Sequence, residues 1–225
     1  VLNKDALIYD EGKQDNTAYL EYSNNPNNKE HGRTKDKTVY DWTFKMGVNK
    51  VDGEGNALTG AKFVLSKNGS LEVACDESGV PTVTTDLIGL VKVADGFYRV
   101  ATADDTAVVY VIDAGSAVIK GLDDAIDYYL YETKAPDGYN RLQDPVKFKI
   151  SAEYNEDGSK YTSVTATVGD TEATGLQANI ENNKGTELPS TGGIGTTIFY
   201  IVGAVLVAAA GILLITKKRM SRAAD

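Results

Sequence analysis

The feature that most limits this chain lies near its end, where residues 188–216 carry no charged side chain and the stretch IGTTIFYIVGAVLVAAAGILLI (194–215) is almost wholly apolar. As a helix rising about 1.5 Å per residue it would reach roughly 33 Å, enough to cross the hydrocarbon core of a bilayer. Lys217, Lys218, Arg219 and Arg222 follow, a basic cluster that holds the tail in the cytoplasm and places everything before the span outside. A transmembrane helix over 193–216 and a basic cytoplasmic tail over 217–225 are therefore expected. The rest must fold as an extracellular body.

Outside the cell a small body is often braced by disulfides, but Cys75 stands alone and has no intrachain partner. Some other brace is needed. The 13 Tyr and 22 Gly, with many Val and Thr, favour strands and turns over helices. Asp and Glu outnumber Lys and Arg by 32 to 23 without a basic stripe in the long N-terminal part, which argues against a nucleic-acid partner. His31 and Cys75 are the sole members of their kinds, so neither a zinc site nor a Cys-His dyad is expected, and no cofactor or metal is implied. The acidic loop Asp52-Gly53-Glu54-Gly55-Asn56 lacks EF-hand spacing and reads as a turn. Asp104, Asp105, Asp123, Asp124 and Asp127 read as a solvated surface, and Asn68-Gly69-Ser70 as a chance match to a glycosylation sequon.

Turn pairs at Asp52-Gly53, Gly55-Asn56, Asn68-Gly69, Asp95-Gly96, Asp137-Gly138 and Asp157-Gly158 punctuate the middle of the chain. Between them, β-rich runs at 62–65, 107–112, 128–133, 146–150 and 161–168 predict an all-β antiparallel sandwich. Alternation along three strands then singles out three polar groups. Tyr40, Trp42, Phe44, Met46 and Val48 share a face whose next member is Lys50, whereas Lys45 and Asn49 take the opposite face. Tyr128 and Leu130 share a face with Glu132. Leu176, Ala178 and Ile180 share one with Asn182, while Asn179, Glu181 and Asn183 point outward.

Each polar group alone could sit at a strand end and reach water. Three together suggest that they meet. In a dry site desolvation favours the neutral amine and the protonated acid. The Lys50 nitrogen could then attack the Asn182 side-chain carbonyl while Glu132 polarises it and carries protons, expelling ammonia and leaving an isopeptide bond.

Two resemblances sharpen this reading. Leu188-Pro189-Ser190-Thr191-Gly192, set directly before the apolar span and basic tail, resembles the LPxTG sorting signal of Gram-positive wall proteins. The resemblance implies that a sortase cysteine attacks the Thr191 carbonyl, releases Gly192 with the span, and passes the acyl group to an amine. Lys50-Val51-Asp52 with LTGAKFVL (58–65) resembles the opening of a collagen-adhesin B-type (Cna B) domain, and YYLYETKAPDGY (128–139) resembles the E-box of Gram-positive pilins. Together they imply an immunoglobulin-like Cna B-type sandwich over 38–184, then a linker and sorting motif over 185–192. In that family a lysine at the position of Lys50, a glutamate at that of Glu132 and an asparagine of the last strand form the crosslink. Alternation favours Asn182 over Asn183.

Residues 1–37 read as the end of a preceding immunoglobulin-like pilin domain, so the chain reads as a fragment. Ala18, Leu20 and Tyr22 alternate toward Asn24, which would be an orphan isopeptide partner of that domain. The expected function is a structural subunit of a sortase-assembled pilus serving adhesion, not an enzyme beyond its own single-turnover crosslinking. The alternative is the stalk of a monomeric wall-anchored adhesin. Expected partners are sortase, other pilin subunits, peptidoglycan, a host extracellular-matrix or cell-surface ligand, and the membrane only before sorting. The expected location is the cell surface, in covalent attachment to wall or fibre.

Overall fold

The computed structural model describes residues 14–23, 27 and 31–184, and among these there are strands, turns and bends but no helix. The predicted span, the basic tail, the pentapeptide at 188–192 and Asn24 lie outside the described residues.

The described residues begin with a nested ribbon. β1 (Gln14–Ala18) and β4 (Lys37–Asp41) pair antiparallel, and β2 (Glu21–Ser23) and β3 (His31–Arg33) pair beyond them. Residues 18–22, expected as one strand, are instead broken at Tyr19 and Leu20, where Leu20 exchanges bonds with Thr34. A two-stranded ribbon buries little of its side chains, and Leu20 and Val39 stay 63% and 66% exposed.

The remaining strands are β5 (Phe44–Val51), β6 (Ala61–Ser66), β7 (Leu90–Ala94), β8 (Phe97–Val100), β9 (Ile112–Ala114), β10 (Ser116–Leu122), β11 (Asp127–Lys134), β12 (Val146–Tyr154), β13 (Tyr161–Val168), β14 (Thr171–Glu172) and β15 (Gln177–Glu181). They form a five-stranded sheet in the order β15-β5-β10-β8-β7 and a six-stranded sheet in the order β14-β13-β12-β11-β6-β9. The period-2 faces meet in one core: Phe44, Met46 and Val48 from β5, Phe63 and Leu65 from β6, Tyr128 and Leu130 from β11, Phe148 and Ile150 from β12, Ala178 and Ile180 from β15. Tyr128 stacks on Phe148 at 5.2 Å between centroids, and its hydroxyl accepts the Asp123 N–H, so the buried phenol is satisfied. Burial pushes its pKa up to about 12.

Three expectations change. The strand predicted over 40–48 breaks at Trp42 and Thr43, because the Trp42 indole donates to the Gly158 carbonyl at 3.1 Å and its ring meets Tyr161 edge-on at 5.3 Å. Docking on the β12–β13 turn takes Trp42 out of the strand. The run 107–112 is mostly loop, bridged to β7 through Leu90 and Val109. The sheets are also not purely antiparallel, since β15 runs parallel to β5 and β10 parallel to β8.

Asp105 corrects the solvated-surface expectation. Its side chain is 10% exposed and pairs bidentately with Arg99, at 2.5 and 2.7 Å, while also accepting the Thr102 N–H. The guanidinium fork outcompetes water because it fits both carboxylate oxygens. The Arg99 hydrogen bonds, helped by Thr102, hold the Asp105 carboxyl well below the usual carboxylate range. Its stabilisation is thus complete above the unfolded value near 4 and fades as pH falls through the lowered folded value. Asp105→Asn should flatten the fall in melting temperature on acidification below about pH 4, as followed by circular dichroism.

Candidate functional site

β5 and β15 are sequence-distant neighbours that run the same way, with Ile180 opposite Lys50 in register. Both alternating faces carry on inward past their apolar residues, so Lys50 and Asn182 come to the same end of the sandwich and are both 0% exposed. β11, in the other sheet, presents Glu132 at 5% exposure. The three groups singled out by alternation therefore share one buried end of the core, whereas Asn183 is exposed.

The contacts are specific. Asn182 Nδ2 donates to Glu132 Oε1 and Oε2, each at 3.0 Å, and to the Asn140 carbonyl at 2.9 Å. The Leu142 N–H donates to Glu132 Oε2 at 2.7 Å. Lys50 Nζ donates to the Ile180 carbonyl at 2.6 Å. Asn182 Oδ1 is buried and has no hydrogen-bond partner among the described residues, a cost that native cores seldom carry outside reactive sites. Desolvation lowers the Lys50 pKa, opposed by the Glu132 and Glu181 carboxylates. A larger share of the amine is therefore neutral and nucleophilic than on a surface lysine.

The segment 67–87 covers part of β11. The Thr133 hydroxyl donates to the Gly79 carbonyl at 2.7 Å, the Leu71 N–H donates to the Tyr131 hydroxyl, and that hydroxyl donates to the Asn68 carbonyl. Gly79 has a φ of 74°, and a Cβ there would lie 2.7 Å from the Lys134 Cβ, so only glycine lets this segment lie so close. A cleft of about 430 Å³ between this segment and residues 141–145 reaches Glu132.

Sequence reasoning missed the backbone groups of Asn140, Leu142 and Ile180, and no residue pattern marks them. The loop at Asp52 is the expected turn, its carboxylate accepting the N–H groups of Glu54 and Asn56.

A model of the SpaA prealbumin-like fold domain matches residues 44–168, more than half of the chain, and a model of the LPXTG cell wall anchor motif matches residues 180–221. The fimbrial subunit type 1 of Actinomyces viscosus is 40% identical over 94 residues, which cover 41% of this chain and 15% of that protein. The 35 kDa C-terminal fragment of a major pilin of Streptococcus agalactiae is 21% identical over 81% of this chain and 57% of that one, with a TM-score of 0.50, a likeness of fold. The backbone protein of the group B streptococcus pilus 2b is 25% identical over 71% of this chain and 50% of that one, with a TM-score of 0.36. The chain thus spans about a seventh of the curated relative and about half of the solved pilins.

The fold and the wall-anchor match define a surface protein of the Gram-positive, wall-attached class, as its tail implied. The chain belongs to the SpaA family of prealbumin-like fold domains and is an LPxTG-anchored pilin.

Proposed function

We propose that this chain is a structural subunit of a sortase-assembled pilus, braced by a self-formed isopeptide bond between Lys50 and Asn182. The observation that carries the reading is the buried contact of both Glu132 oxygens with Asn182 Nδ2 beside a fully buried Lys50. The neutral Lys50 nitrogen attacks Asn182 Cγ, a new C–N bond forms, the Cγ–Nδ2 bond breaks, and Glu132 carries the amine proton to the departing nitrogen, which leaves as ammonia. One turnover is all the site performs. In this reading the chain is otherwise no enzyme but a substrate.

Sorting is the second covalent event. A sortase thiolate attacks the Thr191 carbonyl, the Thr191–Gly192 bond breaks, and the acyl group passes to an amine of another subunit or of peptidoglycan. The mechanical logic lies in the parallel pairing of β5 and β15. Tension entering at Phe44 and leaving after Glu181 pulls these neighbours in opposite directions along their shared axis. A bond from Lys50 to Asn182 passes that tension straight across and spares residues 51–181. In this reading the shaft carries adhesion to host surfaces.

The test is on cells. Extracts boiled in detergent should give a high-molecular-weight ladder reacting with antibody to this chain, and Thr191→Ala should abolish it. A single wall-linked band that never forms a ladder would instead assign the chain to the stalk of a monomeric adhesin.

A further inference from the structure

Two backbone groups hold the reacting side chains, and both come from one short segment after β11. We propose that residues 139–142 are a positioning element for crosslinking, with the Asn140 carbonyl setting the orientation of the Asn182 carboxamide and the Leu142 N–H setting that of the Glu132 carboxyl. The proposal rests on the crosslinking reading above and concerns what makes it efficient.

A carbonyl oxygen can only accept, so the atom 2.9 Å from the Asn140 oxygen must be the Asn182 nitrogen. The carboxamide turned by half a rotation would set two carbonyl oxygens against each other at that distance. Orientation thus commits the departing nitrogen toward Glu132, at 3.0 Å from each of its oxygens, and leaves Oδ1 without a donor. A carboxyl placed there can pass the amine proton directly to the leaving group.

Leu142 acts on the other partner. Its N–H makes the shortest of the contacts at the carboxyl, 2.7 Å to Oε2, and so fixes the plane from which both oxygens reach Asn182. The segment is itself registered to the chain just past the reacting residue. The Asn140 N–H donates to the Asn183 carbonyl at 3.1 Å, and Tyr139 bridges to Lys184. One short loop therefore aligns acid and amide together.

Backbone groups are tested by amide-to-ester exchange in the full chain held in detergent micelles. Replacing Leu142 by its α-hydroxy analogue deletes the N–H. The same exchange at Arg141 weakens the Asn140 carbonyl as an acceptor, and at Gln143 it serves as a control. Crosslinking after refolding, followed by loss of ammonia in intact mass, should slow roughly ten- to hundredfold with the Leu142 ester, the worth of a hydrogen bond to a carboxylate, roughly three- to tenfold with the Arg141 ester, the worth of a neutral one, and stay within about twofold with the control.

A spectroscopic readout separates orientation from general loosening. In a Lys50→Met background the amide cannot react, and the Arg141 ester should move one Asn182 carboxamide proton upfield while the Gln143 ester moves neither. A parent chain that keeps its full mass removes the crosslink and this proposal with it. A crosslinking parent whose three esters react alike, equally fast or equally slow, leaves the crosslink standing and removes the positioning role alone.

Discussion

Intact-mass measurement of the chain should give a value about 17 Da below that of its sequence, the mass of one ammonia, and Glu132→Ala should restore the full mass. The expectation follows from the balance of the proposed step, in which one C–N bond replaces another and only NH₃ departs. In the proposed step Glu132 is essential because it alone among the described side chains contacts the leaving nitrogen, through both oxygens. Without it the amine has no proton acceptor and the amide no proton donor at this buried end of the core. Peptide mapping should join a Lys50 peptide to an Asn182 peptide, and a join to Asn183 would overturn the assignment. A parent chain of full mass after complete folding would end the proposal.

The second large effect is on stability. A link between residues 50 and 182 closes a long loop, and the chain-entropy model written for disulfides gives on the order of 5 kcal/mol for such a closure. For a domain of this size each kcal/mol moves the melting temperature by about 2–4 °C, so losing the link should cost roughly 10–20 °C. Lys50→Met measures this, since a methionine fills much of the lysine's volume and cannot attack the amide. Glu132→Ala should melt lower still, because it also strands the buried Lys50 amine without its carboxylate. Calorimetry should rank parent above Lys50→Met above Glu132→Ala. Equal melting of parent and Lys50→Met would mean that no covalent brace exists.

The buried end of the core was legible because strand geometry is strict. Side chains two apart share a face, so Lys50, Glu132 and Asn182 could be assigned inward from the apolar residues before them, and Asn183 outward. The break at Trp42 was not legible, because the indole leaves the strand for a carbonyl 116 residues away, a tertiary choice that no local pattern encodes. Nor was the parallel pairing of β15 with β5, since alternation says which way side chains face and nothing about which strand lies alongside. Asp105 was misread for a related reason. Acidic clusters usually face water, and no residue pattern marks the turn after β8 that folds Asp105 back onto Arg99, six residues earlier. The grip of Asn140 and Leu142 on the site is made by main-chain atoms, which every residue possesses and which therefore leave no mark in composition.

The side-by-side placement of the first and last strands of the sandwich also imposes an order of events during export. Its two members are about 130 residues apart in the chain, so the strand next to β5 leaves the membrane only after the other strands of the sandwich. Until it does, that flank of the sheet stays open and the lysine has no amide to meet. In the proposed scheme, the seam is therefore welded only on a finished body, a few residues before the pentapeptide at 188–192. The weld then acts as a certificate of correct assembly, issued just ahead of the signal that commits the subunit to the wall.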